Sequence, residues 1–285
     1  MIKKILFIFA IGLLSFQSTF AEMLPAALPV PLPVPGGVAI VELKNDFDPR
    51  SKAYFGKKRV LTRKVNDNWQ AVVGLPLKIK PGAHKIITVD PLGIKKRYQF
   101  SVFDKEYETR HITIKNKRMV SPTKKDIERH YKEKPLIIAA LKKWSDNNQV
   151  QTNFIVPVEG RFSSIFGLRR IYNNQKRIRR HTGLDIAAPV GTVIKSPAKG
   201  TVVRTGSYFF TGNTVFIDHG QGLISMYCHL NKTKVSAGQQ LEQGQPIGTV
   251  GMTGRVSGPH LHWVISLNNT KVDPKLFLAK DVFKN

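Results

Sequence analysis

Residues 254–263 read GRVSGPHLHW, and the two histidines of this stretch, His260 and His262, connect the fold of the chain to its function. On a β-strand, side chains alternate between the two faces, so both imidazoles share one face and Leu261 turns into the core. Two imidazoles in one small space suit either a metal site or a proton-transfer site. An H-x-H pair also occurs by chance, so the interpretation needs partners elsewhere in the chain.

The region around this stretch has the composition of an all-β domain. From about residue 151 onward, glycine recurs every few residues between short runs rich in valine, isoleucine and threonine. Typical runs are TVIKSPAKGTVV, NTVFIDHGQG and GQPIGTVG. Such runs between tight turns predict strands, so the H-L-H pair is expected on a strand of a β domain.

Partners for the H-L-H pair lie in HTGLDIAAPVGT, where His181 and Asp185 are four residues apart. Gly183 and Pro189 disfavour a helix, but residues four apart also share a face of a strand. With one histidine of H-L-H, they supply two nitrogens and one oxygen. That is the ligand count of a catalytic zinc with one position open to water, whereas a structural zinc has a fourth protein ligand.

The remaining histidines and the single cysteine have less specific surroundings. In MYCHL, strand alternation predicts that His229 and Tyr227 face one way and Cys228 the other, so Cys228 and His229 should not share a metal. Cys228 is interpreted as a small buried hydrophobe, and His229 as an acid or base close to the metal. His219, beside a glycine turn in IDHGQG, is predicted to be structural.

Upstream, short apolar runs between turn signals predict a small β-sandwich over about residues 38–115. It contains no catalytic cluster, and His84 and His111 are interpreted as isolated surface or core histidines. The segment SPTKKDIERHYKEKPLIIAALKKWS then predicts a helical connector, with Ser121 or Thr123 as its cap and a break or restart at Pro135.

Three separated motifs, HTGLD, GNTVFIDHGQGLISMYCHL and TGRVSGPHLHW, closely resemble the M23 or LytM-type zinc metallopeptidases over about residues 151–280. The upstream region resembles, more weakly, the Ig-like N-terminal domain of some Gram-negative members. The resemblance implies that His181, Asp185 and His262 bind Zn²⁺. It also implies that His229 and His260 form the catalytic pair.

One departure from the family concerns the residues after H-x-H. Many relatives carry an acidic residue there, whereas this chain continues with Trp263, Val264 and Ile265. The difference bears on substrate contacts rather than on the metal ligands.

The N-terminus has the pattern of a secretory signal peptide. Lys3 and Lys4 precede an apolar run over residues 5–14, and small residues follow at Thr19 and Ala21. The run is short for a membrane span, and an uncleaved anchor is the alternative. The predicted organisation is a signal peptide (1–21), a proline-rich extended leader (22–37), an Ig-like β-sandwich (38–117), a helical connector (118–150) and an M23 peptidase domain (151–285).

The charge balance favours either an anionic partner or a solvated basic surface without a partner. There are 45 Lys and Arg against 19 Asp and Glu, a formal net charge of +26. Such a field attracts polyanions, but the export signal argues against nucleic acid and favours peptidoglycan or another anionic envelope surface. Six basic residues between 169 and 180 form either a solvated loop or, through Arg179 and Arg180, a surface that draws anionic substrate to the metal.

Together these features predict a mainly β, periplasmic zinc endopeptidase that hydrolyses peptide cross-links of peptidoglycan. Resemblance to Gram-negative members favours the bond from D-alanine to meso-diaminopimelate. The alternatives are a non-catalytic wall-binding activator or scaffold, a nucleic-acid-binding protein and a structural zinc domain. A further hypothesis is that the upstream domain covers the catalytic groove until displaced. The oligomeric state is not indicated.

Overall fold

The computed structural model describes residues 28–44, 47–147 and 149–283, and within them the protein is mainly β. The predicted fold class is therefore confirmed. The predicted signal peptide and the first residues of the leader lie outside the described residues. From residue 28 to residue 37 the leader contains no helix, as its prolines predicted, and Val30 donates a backbone hydrogen bond to the carbonyl of Leu276.

The first six strands form one antiparallel sheet in the order β1-β4-β3-β2-β5-β6. The sheet curls until β1 approaches β6, and its inner face encloses an apolar core that includes Val60, Val73 and Ile86. A small β domain is thus present where one was predicted. Its strands are Val38–Glu42 (β1), Lys52–Phe55 (β2), Lys58–Val65 (β3), Asn68–Gly74 (β4), Gly82–Val89 (β5) and Lys95–Val102 (β6).

The turn between β3 and β4 follows from its sequence. Asn66 and Asp67 both have positive φ, 47° and 66°. Two successive left-handed residues make the type I′ turn whose twist matches a tight hairpin, and asparagine and aspartate tolerate that conformation. The N-D-N turn signal therefore fixes the register of this hairpin.

A short strand and two helices connect the curled sheet to the second β region. They are Thr109–Ile112 (β7), Lys117–Val120 (α1) and Lys124–Leu141 (α2). Thr123 caps α2, as the sequence suggested, and forms a reciprocal capping box with Asp126.

The predicted break at Pro135 is wrong, because α2 continues through this residue. A proline removes one intrahelical hydrogen bond, and tertiary contacts hold α2 on both sides of it. Arg129 donates to the carbonyl of Ser207, and Glu133 accepts from the backbone N–H of Phe209 at 2.8 Å. Beyond the proline, Ala140 and Leu141 are buried against the second β region.

Among the described residues, the second β region contains a sheet of ten strands in the order β16-β13-β14-β15-β18-β11-β8, with β12, β17 and β19 attached to it. In addition, β7 pairs in parallel with β9, and β9 pairs with β10. Two 3₁₀ turns, Pro274–Phe277 and Lys280–Phe283, follow the last strand. The strands are Arg161–Ser164 (β8), Arg169–Tyr172 (β9), Ile178–Arg180 (β10), Leu184–Ala187 (β11), Val193–Lys195 (β12), Gly200–Tyr208 (β13), Gly212–Asp218 (β14), Ile224–Thr233 (β15), Gln240–Leu241 (β16), Pro246–Val250 (β17), His260–Leu267 (β18) and Thr270–Val272 (β19).

The two β regions share a core and are joined by two buried amide side chains. Gln221 accepts from the N–H of Thr62 at 3.0 Å and donates to its carbonyl at 3.1 Å. Asn268 binds Gly74 in the same manner, at 2.6 and 3.1 Å. Each amide thus satisfies both backbone groups of one upstream residue, so the first sheet is held in a defined position on the second.

Among the described residues, no helix has the length and apolar character needed to cross a bilayer.

Candidate active site

An open cavity of about 560 Å³, here named the groove, crosses one face of the second β region. Its lining contains all five residues singled out from the motifs, namely His181, Asp185, His229, His260 and His262. Strand β7 forms part of one wall of the groove and contributes Arg110, His111 and Ile112. Within the described residues, β1 to β6 supply no lining residue, so the first sheet leaves the groove uncovered in this conformation.

The H-L-H pair lies at the start of β18, as predicted. His260 and His262 face the groove, while Leu261 between them is fully buried in the core. Strand β18 pairs with β11 in an antiparallel register that places Asp185 directly opposite His262. The alternation of strand side chains therefore aims this carboxylate and this imidazole into one space.

His181 completes a cluster of three potential metal ligands. Its Nε2 lies 3.0 Å from Oδ1 of Asp185 and 3.1 Å from Nδ1 of His262, and the latter atom is 2.6 Å from the same carboxylate oxygen. His181 Nδ1 donates to the carbonyl of Ile165 at 2.6 Å, which directs the lone pair of Nε2 toward the other two residues. These three side chains could hold a metal ion.

Glycine is required inside the H-T-G-L-D motif. A Cβ atom at Gly183 would lie 2.5 Å from the carbonyl oxygen of Trp263 and 2.7 Å from Cε1 of His262. Both contacts are closer than real Cβ atoms tolerate. The missing side chain makes room for the His262 imidazole, so Gly183 shapes the cluster without contributing an atom to it.

The second oxygen of Asp185 is bound by Arg170. The Arg170 Nη2 lies 2.5 Å from Oδ2 of Asp185 and 2.7 Å from Oγ of Ser164. Burial alone raises the pKa of the Asp185 carboxyl, but hydrogen bonds with His181 and His262 outweigh it and bring the pKa well below its usual value. Asp185 is therefore ionised, as a metal ligand must be.

Burial also keeps His262 neutral. It lowers the pKa of His262 to about 4, although the hydrogen bond to Asp185 acts in the opposite direction. A neutral imidazole retains the lone pair that a metal requires. Two imidazole nitrogens and one carboxylate oxygen form a donor set suited to zinc, and the open groove leaves access for further ligands.

His229 lies on the groove face, and the predicted alternation in MYCHL is wrong at this residue. Its φ is 66°, and the register of β14 and β15 shifts so that Cys228 and His229 together oppose Thr214. Such a β-bulge turns the second residue to the face opposite the one that regular pleating dictates. The His229 N–H still donates to the carbonyl of Thr211 at 2.8 Å, which anchors the bulge.

His229 and His260 face each other across the groove floor, with ring centroids 5.0 Å apart. Each donates through Nδ1 to a backbone carbonyl at 2.8 Å, His229 to Thr253 and His260 to Gly258. In the neutral ring this leaves the lone pair on Nε2, and the Nε2 of His260 is 3.8 Å from Oδ1 of Asp185. Burial, and then the neighbouring histidines, hold the pKa of His229 well below its usual value.

Of the other cysteine and histidine residues considered in the sequence, three have structural surroundings and one lines the groove. Cys228 is fully buried, and burial raises the pKa of its thiol to about 12, so it carries no thiolate at neutral pH. His219 is buried between the carbonyl of Lys199 and the hydroxyl of Ser225, as a structural histidine should be. His84 is bound to the carbonyl of Lys80 on the first sheet. His111 is exposed but lines the groove.

The groove residues that sequence reasoning did not single out include Arg170, Phe210 and Arg255. Arg170 adjoins Arg169 in the basic loop, and only the register of β9 distinguishes the half-buried Arg170 from the exposed Arg169. Of the two arginines that were singled out, Arg179 lines the groove, and no carboxylate of the described residues forms an ion pair with it. Arg180 also lines it, while its guanidinium lies over the ring of Tyr107.

Two histidines and a carboxylate at the base of an open groove, with two further histidines beside them, form the kind of site found in metal-dependent hydrolases. Comparison with known proteins agrees. Residues 179–274 match peptidase family M23, and residues 32–105 match the peptidase family M23 N-terminal domain. A solved structure from Pseudomonas aeruginosa assigned to peptidase M23 has 40% sequence identity and a TM-score of 0.74, and the match covers 88% of this chain and 97% of that one. The chain belongs to peptidase family M23.

Curated relatives match over a shorter stretch. The peptidoglycan DD-endopeptidase ShyA of Vibrio cholerae is 42% identical over 113 residues, which is 40% of this chain and 26% of ShyA. The DD-carboxypeptidase/endopeptidase Mpg of Neisseria meningitidis is 40% identical over 114 residues, which is 40% of this chain and 26% of Mpg. The chain thus matches about a quarter of the length of these two relatives.

Proposed function

We propose that this protein is an exported zinc endopeptidase that hydrolyses peptide cross-links of peptidoglycan. One observation carries the proposal: donor atoms of His181, Asp185 and His262 converge within 4.8 Å of one another at the base of an open groove. Two more histidines stand beside them with defined ring orientations. Each of the five residues also occupies the position that the family motifs imply.

In this proposal His181, Asp185 and His262 hold the zinc ion. Zinc bound there supplies Lewis acidity, which activates water and polarises the scissile carbonyl. The protein supplies the ligand geometry, because Ile165 orients His181 and Arg170 orients Asp185. Contacts of this kind fix ligand orientation and increase metal affinity.

His229 and His260 move the protons. Both rings are oriented by backbone carbonyls so that Nε2 can accept a proton, and both line the groove where a peptide would lie. One of them takes a proton from the attacking water at Nε2, and the pair then passes that same proton to the leaving amine; the imidazolium formed in the first step is the group that can donate to the developing oxyanion. Both rings line the groove with centroids 5.0 Å apart, so either assignment is compatible with this geometry.

Substrate and location are inferred from the relatives, the charge and the N-terminus. ShyA and Mpg are named for cleavage of DD bonds, which favours the cross-link from D-alanine to meso-diaminopimelate. The net charge of +26 suits an anionic polymer. The apolar N-terminal run after two lysines suits export to the periplasm.

The test uses purified mature protein and isolated sacculi. We expect new amine ends and uncross-linked muropeptides, which disappear with a chelator and return with zinc, while His260→Ala binds zinc but releases none. The His84→Ala variant, altered on the first sheet, is the matched control and should retain full activity. Mass analysis of the released muropeptides identifies the bond. Binding to sacculi without new amine ends would replace the enzyme with a non-catalytic wall-binding activator.

A further inference from the structure

Arg255 is an arginine in the groove whose guanidinium is held between aromatic rings. Its guanidinium carbon lies 4.5 Å from the ring centroid of Phe210 and 5.2 Å from that of Tyr172. Its backbone N–H donates to the carbonyl of Phe210 at 2.9 Å. The planar head is therefore fixed by stacking, and its N–H groups point outward in the plane of the guanidinium, where they can bind a ligand.

The Nη1 atom of Arg255 is buried and has no hydrogen-bond partner among the described residues. A buried charged donor without an acceptor is costly, and arginine in such a position is normally bound to a carboxylate or phosphate. In the part of the chain that the structure describes, no carboxylate forms an ion pair with Arg255 or with Arg179. Both arginines line the groove.

Positive charge accumulates around this point. Burial, and then repulsion by the nearby guanidinium groups of Arg179 and Arg170, lowers the pKa of Arg255 to about 10, although Tyr172 acts in the opposite direction. The Asp185 carboxylate is already bound to Arg170, so it does not neutralise Arg255 or Arg179. Within the described residues this end of the groove therefore carries positive charge that no carboxylate balances, and an anion from outside the chain would balance it.

The segment that carries Arg255 also orients a histidine of the groove. The carbonyl of Thr253 accepts from Nδ1 of His229 at 2.8 Å. Gly254 has a φ of 76°, and a Cβ there would lie 2.5 Å from the backbone nitrogen of Gly212. This close approach fixes both neighbours, so an anion bound at Arg255 occupies a defined position relative to His229.

We infer that Arg255, together with Arg179, binds a free carboxylate of the peptide substrate and determines which peptides are cleaved. The inference rests on the proposed function and deepens it. A carboxylate matches the fork of the guanidinium in shape and charge, and stem peptides of peptidoglycan carry free carboxylates. A phosphate group of another envelope polymer offers the same chemistry and is the competing source.

The experiment compares two cross-linked muropeptides that differ only in whether the free carboxylates outside the scissile bond are amidated. Wild-type zinc enzyme should cleave the carboxylate form with a kcat/KM on the order of 10- to 100-fold above that of the amide form. A difference of this size is the usual effect of losing one hydrogen bond to a charged group. In Arg255→Gln we expect this ratio to fall toward one, mainly through KM for the carboxylate form. Arg179→Gln should change the ratio in the same direction, which keeps the test valid if Arg255→Gln folds poorly.

Arg97→Gln is the matched control, because it removes an exposed arginine from the first sheet outside the groove lining. It should leave the ratio unchanged at fixed ionic strength. Equal losses on both substrates in Arg255→Gln would overturn the inference and make Arg255 a merely structural residue. Inhibition of wild type by inorganic phosphate, with no discrimination between the two muropeptides, would overturn the carboxylate in favour of a phosphate. If wild type cleaves neither substrate, the proposed function itself fails.

Discussion

The imidazole of His229 faces that of His260 at a centroid distance of 5.0 Å, although regular strand alternation would have turned His229 into the core. The positive φ of His229 and the bulge with Cys228 bring it to the groove. A histidine in the left-handed region costs about 1–2 kcal/mol relative to the right-handed one. Such strain is commonly found where a side chain must be aimed for function.

Removing either histidine of this pair should separate catalysis from metal binding. We expect His229→Ala and His260→Ala to lower kcat/KM about 100- to 10,000-fold, the usual contribution of a general acid or base, while zinc content stays near one equivalent. His181→Ala and Asp185→Ala should instead lose the metal. Kinetics on muropeptides and zinc analysis of the same samples check this. Near-normal turnover in zinc-loaded His229→Ala would exclude its proposed role.

The backbone at His229 allows a second, independent prediction. Because φ is 66°, glycine should fit this position better than alanine, and we expect His229→Gly to be more stable than His229→Ala by about 1 kcal/mol. Urea unfolding of the two zinc-free variants measures the difference. Neither should be active, since both lack the imidazole. An alanine variant as stable as the glycine variant would mean that the bulge relaxes when the side chain is removed.

Arg170 should act on the metal through Asp185. Replacing it with methionine leaves Oδ2 of Asp185 without its hydrogen bond, and we expect zinc affinity to fall about 10- to 100-fold. Arg169→Met is the matched control, because Arg169 is the exposed neighbour on the same strand. Competition with a chelating dye gives both affinities. A similar affinity in the two variants would show that Arg170 only packs beside the site.

Which side chains of each motif point the same way could be predicted because it depends on local rules, whereas the meeting of the two motifs depends on the pairing of β11 with β18 and was expected from the resemblance to family M23. Alternation along β18 places His260 and His262 on one face, and the spacing of His181 and Asp185 allows them to share a face in either secondary structure. These rules use nearest neighbours in the chain only. The roles assigned to the five groove residues remain predictions, since they concern chemistry rather than position.

The rest of the site depends on pairing between distant segments, which the sequence pattern does not encode. The bulge at His229 arises from a register shift between β14 and β15, and the wall formed by β7 arises from its pairing with β9. Likewise, Pro135 is tolerated because α2 is held by distant backbone groups. Local signals predicted a regular strand at His229 and a broken helix at Pro135, and tertiary contacts overrode both. They also predicted an isolated His111, which lines the groove.

The joint between the two β regions should contribute measurably to stability. Gln221→Met keeps the volume of the side chain but leaves the N–H and carbonyl of Thr62 without their partners. We expect a loss of about 1–3 kcal/mol in the free energy of unfolding, the penalty for a buried polar group that loses its hydrogen bond. Gln99→Met, at an exposed position of β6, is the control and should change stability by less than about 0.5 kcal/mol. Equal stability of the two variants would mean that the shared apolar core alone joins the regions.

His219 should make the stability of the protein depend on pH. Burial lowers the pKa of the His219 imidazole to about 4, from the 6.5 that is usual for a histidine in water. Between these values the unfolded chain binds a proton that the folded chain excludes, so stability is highest above pH 6.5, decreases as the pH falls, and stops decreasing below about pH 4. From pH 7 to pH 5 we expect His219 alone to remove about 2 kcal/mol from the free energy of unfolding.

His219→Gln cannot titrate, so the decrease measured by urea unfolding should be smaller by that amount in the variant, with both proteins zinc-free. His84→Gln controls for replacing an imidazole outside this core. If wild type and His219→Gln lose the same free energy over this range, another group carries the pH dependence and the low pKa assigned to His219 is wrong.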